Sequence, residues 1–199
     1  MRQTIDAIRD AIEKECWLPA LALALTIPDV MGQIAYPKYV SPHGKRLVGK
    51  QYKQWFHENV EPRFADHTGF DENWRAWRPY FSADMCYQLR CELLHSGSDD
   101  IDFEYGEREP GRDYTYDFEF RVHACDSYGS CWSDPRGDER IEEHVHVCID
   151  IKTLCDALCD SAERCLQNVN EGELAKHEVR VVDVAEYAGL NHRKLGDKL

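Results

Sequence analysis

The segment Ser82-Ala-Asp-Met-Cys-Tyr-Gln-Leu-Arg90-Cys-Glu-Leu-Leu-His95-Ser-Gly97 carries apolar residues at Met85, Leu89 and Leu93, with Cys86 and Leu94 beside them. That spacing predicts the inward stripe of an α-helix, because 3.6 residues per turn return positions four apart to one face. Ser82 can cap its start, Asp84 stands in the first turn where the helix dipole favours an anion, and Gly97 supplies its end. Beyond Gly97 the period changes from 3.6 to two. Ile101, Phe103 and Tyr105 alternate with polar residues, as do Tyr116, Phe118, Phe120 and Val122, and then Val145, Val147, Ile149 and Ile151. Three strands follow from this, joined by turns at 106–113 and 126–140 that are rich in Gly, Pro, Asp and Arg.

Reading outward, Ile5, Ile8, Ile12 and Cys16 recur at helical spacing among charged residues and predict an amphipathic helix. Pro19 fits the first turn of a second helix, whose run Ala20 to Ile27 is apolar on every side before Pro28 and Gly32 end or bend it. Residues 35–49 have loop composition. Helical spacing returns in Tyr52, Trp55, Phe56 and Val60, and Phe64, Phe70, Trp74, Trp77, Tyr80 and Phe81 supply rings for a core. A last long helix starts at Thr153, turns Leu154, Leu158, Ala162, Cys165 and Leu166 inward, and is expected to pack beside the Ser82 helix. The expected fold is mainly α (α+β): a helical bundle from 1–97 and 152–171, with a small antiparallel three-stranded β-meander over 101–151 inserted before the last long helix. The reading is one domain over 1–199, with a loosely attached tail from 172 that contains a β-like run, Val179 to Val184.

At 199 residues, 43% hydrophobic and 31% charged, the chain can bury one sizeable core. Its net charge of −13 excludes a whole-surface affinity for nucleic acid, so any RNA or DNA site must be local. The stretch Trp17 to Met31 is shorter than a bilayer span and is interrupted by Pro19, Pro28 and Asp29, which predicts a buried helix and no membrane partner. Asp6, Asp10, Glu13 and Glu15 stand where a leader would be basic and apolar. The nine cysteines lie mostly in periodic apolar segments and are expected to be reduced, which points to the cytoplasm.

Arg90 and His95, separated by four residues late in a helix, make this segment resemble the HEPN superfamily. Its members are small helical-bundle proteins, many of them metal-independent endoribonucleases of toxin or antiphage systems. The resemblance covers the motif and the helices around it, and it does not extend to the strands. It implies a homodimer whose two copies of Arg90 and His95 face one cleft, with RNA as substrate and an antitoxin or other protein as a further partner. His95 would act as general acid or base and Arg90 would hold the scissile phosphate. Attack by a ribose 2′-hydroxyl needs proton transfer near neutral pH and charge stabilisation on phosphorus, which imidazole and guanidinium supply. Glu92, Trp74, Arg75 and Arg78 form the candidate binding set, since rings interleaved with cations can stack bases and hold phosphates. The residues by themselves also allow Arg90 to be an ion-pair partner of Asp84 or Glu92, and His95 to terminate its helix. The chain would then be a non-catalytic protein–protein interaction or regulatory domain.

In His144-Val-His146-Val-Cys148, the period of two puts three potential ligands on one strand face. In an antiparallel pair His123 and Cys125 of the preceding strand could approach His144 and His146, a set suited to zinc, with Cys131 in the loop. No close Cys-x-x-Cys pair accompanies them, and no cofactor is expected. A Gly-rich phosphate loop, G-x-S-x-G and H-E-x-x-H are all absent from the sequence, which removes triphosphatase, serine hydrolase and zincin readings.

Overall fold

The computed structural model describes residues 1–65, 79–95, 97, 112–132, 141–177 and 184. The chain divides into two compact units, Met1–Val169 and Asn170–Leu199. The first contains α1 (Arg2–Glu13), α2 (Trp17–Ala24), α3 (Ile27–Ala35), α4 (Val48–Asn59) and α5 (Ala83–His95). It continues with strands β1 (Arg112–Arg121), β2 (Ser127–Trp132) and β3 (Ile141–Asp150), then α6 (Ile151–Leu166). The second unit holds the short helix α7 (Glu171–Leu174) and a 3-10 turn, Ala175–His177. The chain is therefore α+β and rich in helix, with a small sheet ahead of the last long helix. The strand expected at Ile101 to Tyr105 lies outside the described residues, as does the run from Val179 apart from Val184.

The Ser82 segment forms the expected helix, α5. Ser82 Oγ accepts the Met85 N–H at 3.3 Å, and Glu61 Oε2, from a 3-10 turn at Glu61–Phe64, accepts the Ala83 N–H at 2.6 Å. These bonds answer donors that have no partner within a helix's first turn. Met85, Cys86 and Leu89 are buried, whereas Leu94 is 38% exposed and does not belong to the inward stripe. It stands about 100° around the axis from Leu93.

The apolar run after Pro19 folds as two helices. Thr26 Oγ1 donates to the Leu23 carbonyl at 2.7 Å at the break, and Pro28 enters the first turn of α3, where its missing N–H costs no helical bond. Gly32 does not end α3. It lets α3 lie against α4, since a Cβ there would come within 2.5 Å of the Gln51 carbonyl oxygen. The 19-residue stretch Trp17–Ala35 is long and apolar enough to cross a membrane by length and composition. Here it supplies the core, with Ala20, Leu21, Ala24, Leu25, Ile27 and Met31 sealed from solvent. An apolar surface that continues around the helix needs cover on more than one side. For that reason α6 packs chiefly on α1, α2 and α3, and not beside α5 as expected, while α5 packs on α4. Arg9 of α1 holds α6 through Glu163 at 2.6 Å, and Ser161 Oγ donates to the Asn59 carbonyl at 2.8 Å.

The sheet is mixed, in the order β1-β3-β2, and so is not an antiparallel meander. β1 runs parallel to β3 with Tyr116, Phe118 and Phe120 beside Val145, Val147 and Ile149. β2 is antiparallel to β3 on its other side and lies inside the segment read as a turn. Ser127-Tyr-Gly-Ser-Cys-Trp132 lacks apolar alternation and so gives no strand signal, yet its backbone closes the edge of β3. One sheet face packs on the bundle through Phe81–Phe118, with ring centroids 6.4 Å apart, and Tyr80–Tyr128, stacked at 5.5 Å. Phe81 in turn touches Phe56 and Phe64.

Asp150, buried where β3 becomes α6, ties these parts together. Its Oδ1 caps α6 by accepting the Thr153 N–H at 2.8 Å and the Thr153 hydroxyl at 3.1 Å. Its Oδ2 accepts the Ala124 N–H at 3.3 Å, and its own N–H donates to Asp126 Oδ1 at 2.7 Å. Asp150→Ala is expected to destabilise the protein by about 2–3 kcal/mol in urea unfolding, with Asp150→Asn costing less because asparagine also caps helices. A loss below roughly 0.5 kcal/mol, the range of ordinary surface substitutions, would contradict that role. Gly32→Ala should cost on the order of 1–3 kcal/mol in the same measurement, through the forced separation of α3 and α4.

Candidate functional site

Arg90 and His95 meet at the C-terminal end of α5. Arg90 Nη1 lies 3.3 Å from His95 Nε2. A guanidinium can only donate, so this imidazole nitrogen presents its lone pair to Arg90. Arg90 Nε also donates to Asp29 Oδ2 of α3 at 3.0 Å, so its ion-pair partner is neither Asp84 nor Glu92 as the residues had allowed. Asp84 instead pairs with Lys53 at 2.8 Å. Burial works against the charge of Arg90, but Asp29 more than offsets it by attraction and hydrogen bonding, and the guanidinium holds its proton more tightly than a free arginine.

Asp29 is the residue that sequence reading missed. A carboxylate inside an apolar run reads only as an interruption, and 61 positions separate it from Arg90. Its Oδ1 is buried without a hydrogen-bond partner among the described residues, so Oδ2 carries the carboxylate's contact with Arg90. Arg46 adds a second guanidinium, donating to the Asp29 carbonyl through Nη2 and to Gln51 through Nε. Arg90 thus holds the Asp29 carboxylate and Arg46 the Asp29 backbone carbonyl, which sets two guanidinium groups beside one residue of α3. Tyr52 lies beneath, fully buried, donating to the Leu25 carbonyl at 3.1 Å, with burial pushing its phenol well above the usual range.

Of the expected binding set, Trp74, Arg75 and Arg78 lie outside the described residues, and Glu92 is half-buried on α5. The basic cluster at Lys45 to Lys53 does border a cavity. About 510 Å³ in volume, it lies between α4 and the start of α5 and is lined by Lys50, Lys53, His57, Asp84 and Tyr87 among others. Tyr87 and Arg90 are three residues apart on α5 and therefore neighbours on one helix face. His57 and Glu61 join at 2.7 Å beside that cavity, and Lys50 sits 4.4 Å over the Tyr39 ring.

The expected zinc set does not assemble. His123 has φ of 56° in the turn after β1, and its ring lies edge-on to Trp17 at 5.3 Å. Cys125 is exposed, and His144 is the register partner of Thr115 and Cys131. The cause is the direction of β1. Because it runs parallel to β3, the turn holding His123 and Cys125 falls beyond the paired residues, and Asp117 becomes the neighbour of His146. Among the described residues, the ligand atoms that do converge belong to Glu119, His146 and Cys148. All nine cysteines are free, and Cys155 and Cys159 are core thiols as expected, burial raising Cys159 to about 12.

No protein-family model matches the chain, and no curated protein or solved structure matches it. Its chemistry rests on its own geometry. Asp29→Ala would leave a part-buried guanidinium without its counter-charge and is expected to cost about 1.5–3 kcal/mol in urea unfolding. This is less than the roughly 3–5 kcal/mol of a fully buried pair, because Arg90 and Asp29 remain 22% and 17% exposed. A cost near zero, as for many surface pairs, would show that Asp29 does not hold Arg90.

Proposed function

We propose that the chain is a HEPN-like, metal-independent endoribonuclease of the bacterial toxin or antiphage defence type, working in the cytoplasm as a homodimer. The observation that carries this reading is the contact of Arg90 Nη1 with His95 Nε2 at 3.3 Å on a half-exposed helix end. His95 Nε2 takes the proton of a ribose 2′-hydroxyl, and the 2′-oxygen attacks phosphorus. The bond from phosphorus to the 5′-oxygen breaks, and the proton passes to that leaving oxygen, giving a cyclic 2′,3′-phosphate and a 5′-hydroxyl end. Arg90 holds the non-bridging oxygens as charge builds on phosphorus, the task for which a planar fork of donors is best suited. Asp29 is a positioning residue that aims the guanidinium. Lys50 on the neighbouring surface offers a cation for an adjacent phosphate.

The test is cleavage of mixed-sequence single-stranded RNA by the purified full chain in excess chelator, with product ends assigned by mass. His95→Ala is expected to lower the rate by about 10²–10⁴-fold while leaving near-UV circular dichroism unchanged. Arg90→Lys is expected to lose most activity as well, since a point charge cannot reproduce the fork. Equal cleavage by the His95 variant would reject the assignment. Absence of turnover on every RNA, together with recovery of one specific protein partner, would favour the non-catalytic interaction reading.

A further inference from the structure

The sheet face away from the bundle carries Thr115, Asp117 and Glu119 on β1 beside His144, His146 and the buried Cys148 on β3, and Thr115, Asp117, His144 and His146 line a cavity of about 570 Å³. Three atoms there form a compact triangle. His146 Nε2 lies 3.2 Å from Cys148 Sγ and 3.4 Å from Glu119 Oε2, and Cys148 Sγ lies 3.7 Å from Glu119 Oε2. Tetrahedral bonding with zinc–sulfur near 2.3 Å and zinc–nitrogen or zinc–oxygen near 2.0–2.2 Å separates such ligands by about 3.4–3.6 Å. The edges of 3.2, 3.4 and 3.7 Å lie within about 0.4 Å of that spacing.

The fourth neighbour orients the imidazole. Asp117 Oδ2 lies 2.8 Å from His146 Nδ1. With Nδ1–H donating to this carboxylate, Nε2 is the nitrogen that faces Glu119 and the Cys148 thiol, and on a neutral imidazole it carries the lone pair a metal would take. In that form two acceptors face each other, and the thiol has one proton for both. A cation accepted by all three resolves the arrangement, and a carboxylate on the far side of a ligating histidine is the common device for orienting it. Arg121 Nη2 also donates to Glu119 Oε2 at 2.6 Å, which orients that carboxylate beside His146 and Cys148. Thiolate, imidazole and carboxylate together select a borderline transition metal over magnesium or calcium.

We propose that Glu119, His146 and Cys148 bind one divalent transition metal ion of the zinc class, with Asp117 orienting His146. Binding displaces the Cys148 proton to solvent and leaves a fourth coordination position for water. The ion joins β1 to β3 on the sheet face opposite Phe118 and Val147, and it takes no part in chemistry at Arg90 and His95.

Titrating the full, metal-stripped chain with cobalt(II) tests this. One equivalent should produce a sulfur-to-cobalt charge-transfer band in the near ultraviolet, reversed by zinc. Cys148→Ser should abolish the band, His146→Asn and Glu119→Gln should weaken cobalt binding at least tenfold, and Asp117→Asn should weaken it by about 10–100-fold. Zinc should raise the melting temperature of the parent chain but not of His146→Asn, a variant on the exposed face that leaves the core intact. A band of undiminished strength in Cys148→Ser would assign the metal to other thiols and overturn the proposal. So would a parent chain that shows no band, or a His146→Asn chain that binds as tightly as the parent.

Discussion

The carboxylate of Asp150 is the constraint on which the arrangement of the first unit depends. It sits at the residue where the central strand becomes the last long helix, and both oxygens are used: one caps α6 and the other holds the turn that carries the chain from β1 to β2. Asp126 completes the junction, accepting the Asp150 N–H with one oxygen and the Tyr80 hydroxyl, at 3.0 Å, with the other. Burial raises the Asp126 carboxyl above its usual range, and the two hydrogen bonds counter that effect. Strand direction, helix start and the seat of the sheet on Tyr80 are thus decided within a few ångströms. Buried polar groups of this kind specify one arrangement because every alternative leaves some of them unpaired.

The two candidate sites follow from that junction in different ways. The sheet presents Phe118, Val145 and Val147 to the bundle, so the opposite face must carry the polar residues of β1 and β3, and Glu119, His146 and Cys148 meet there. The Arg90 and His95 contact belongs to the bundle instead. It depends on α3 and α5 both packing on α4 and its flanking loop, which brings Asp29 and Arg46 to the same place as Arg90. The close approach of α3 to α4 at Gly32 is part of that geometry.

Arg90 and His95 were legible as candidates from their spacing, although five positions turn a helix by about 140°, and their contact is made by the reach of two long side chains at the helix end. Asp29 was not, since a carboxylate inside an apolar run reads only as a break until its partner from a distant helix is known. The histidine and cysteine content of the sheet was equally visible, but which of those residues meet depends on whether β1 runs with or against β3. Parallel pairing exchanged His123 and Cys125 for Asp117 and Glu119.

Sequence by itself determined the helices with one apolar face, the change of period after Gly97, and the strand faces, because these are local relations set by 3.6 and two residues per repeat. Tertiary structure decided the split of the apolar run into α2 and α3, the placement of α6 on α1, α2 and α3, and the mixed order of the sheet. Those choices depend on which surfaces remain to be covered and which backbone donors remain to be answered. The strand Ser127–Trp132 shows the difference: its residues carry no strand pattern, and it is a strand because β3 has an open edge there.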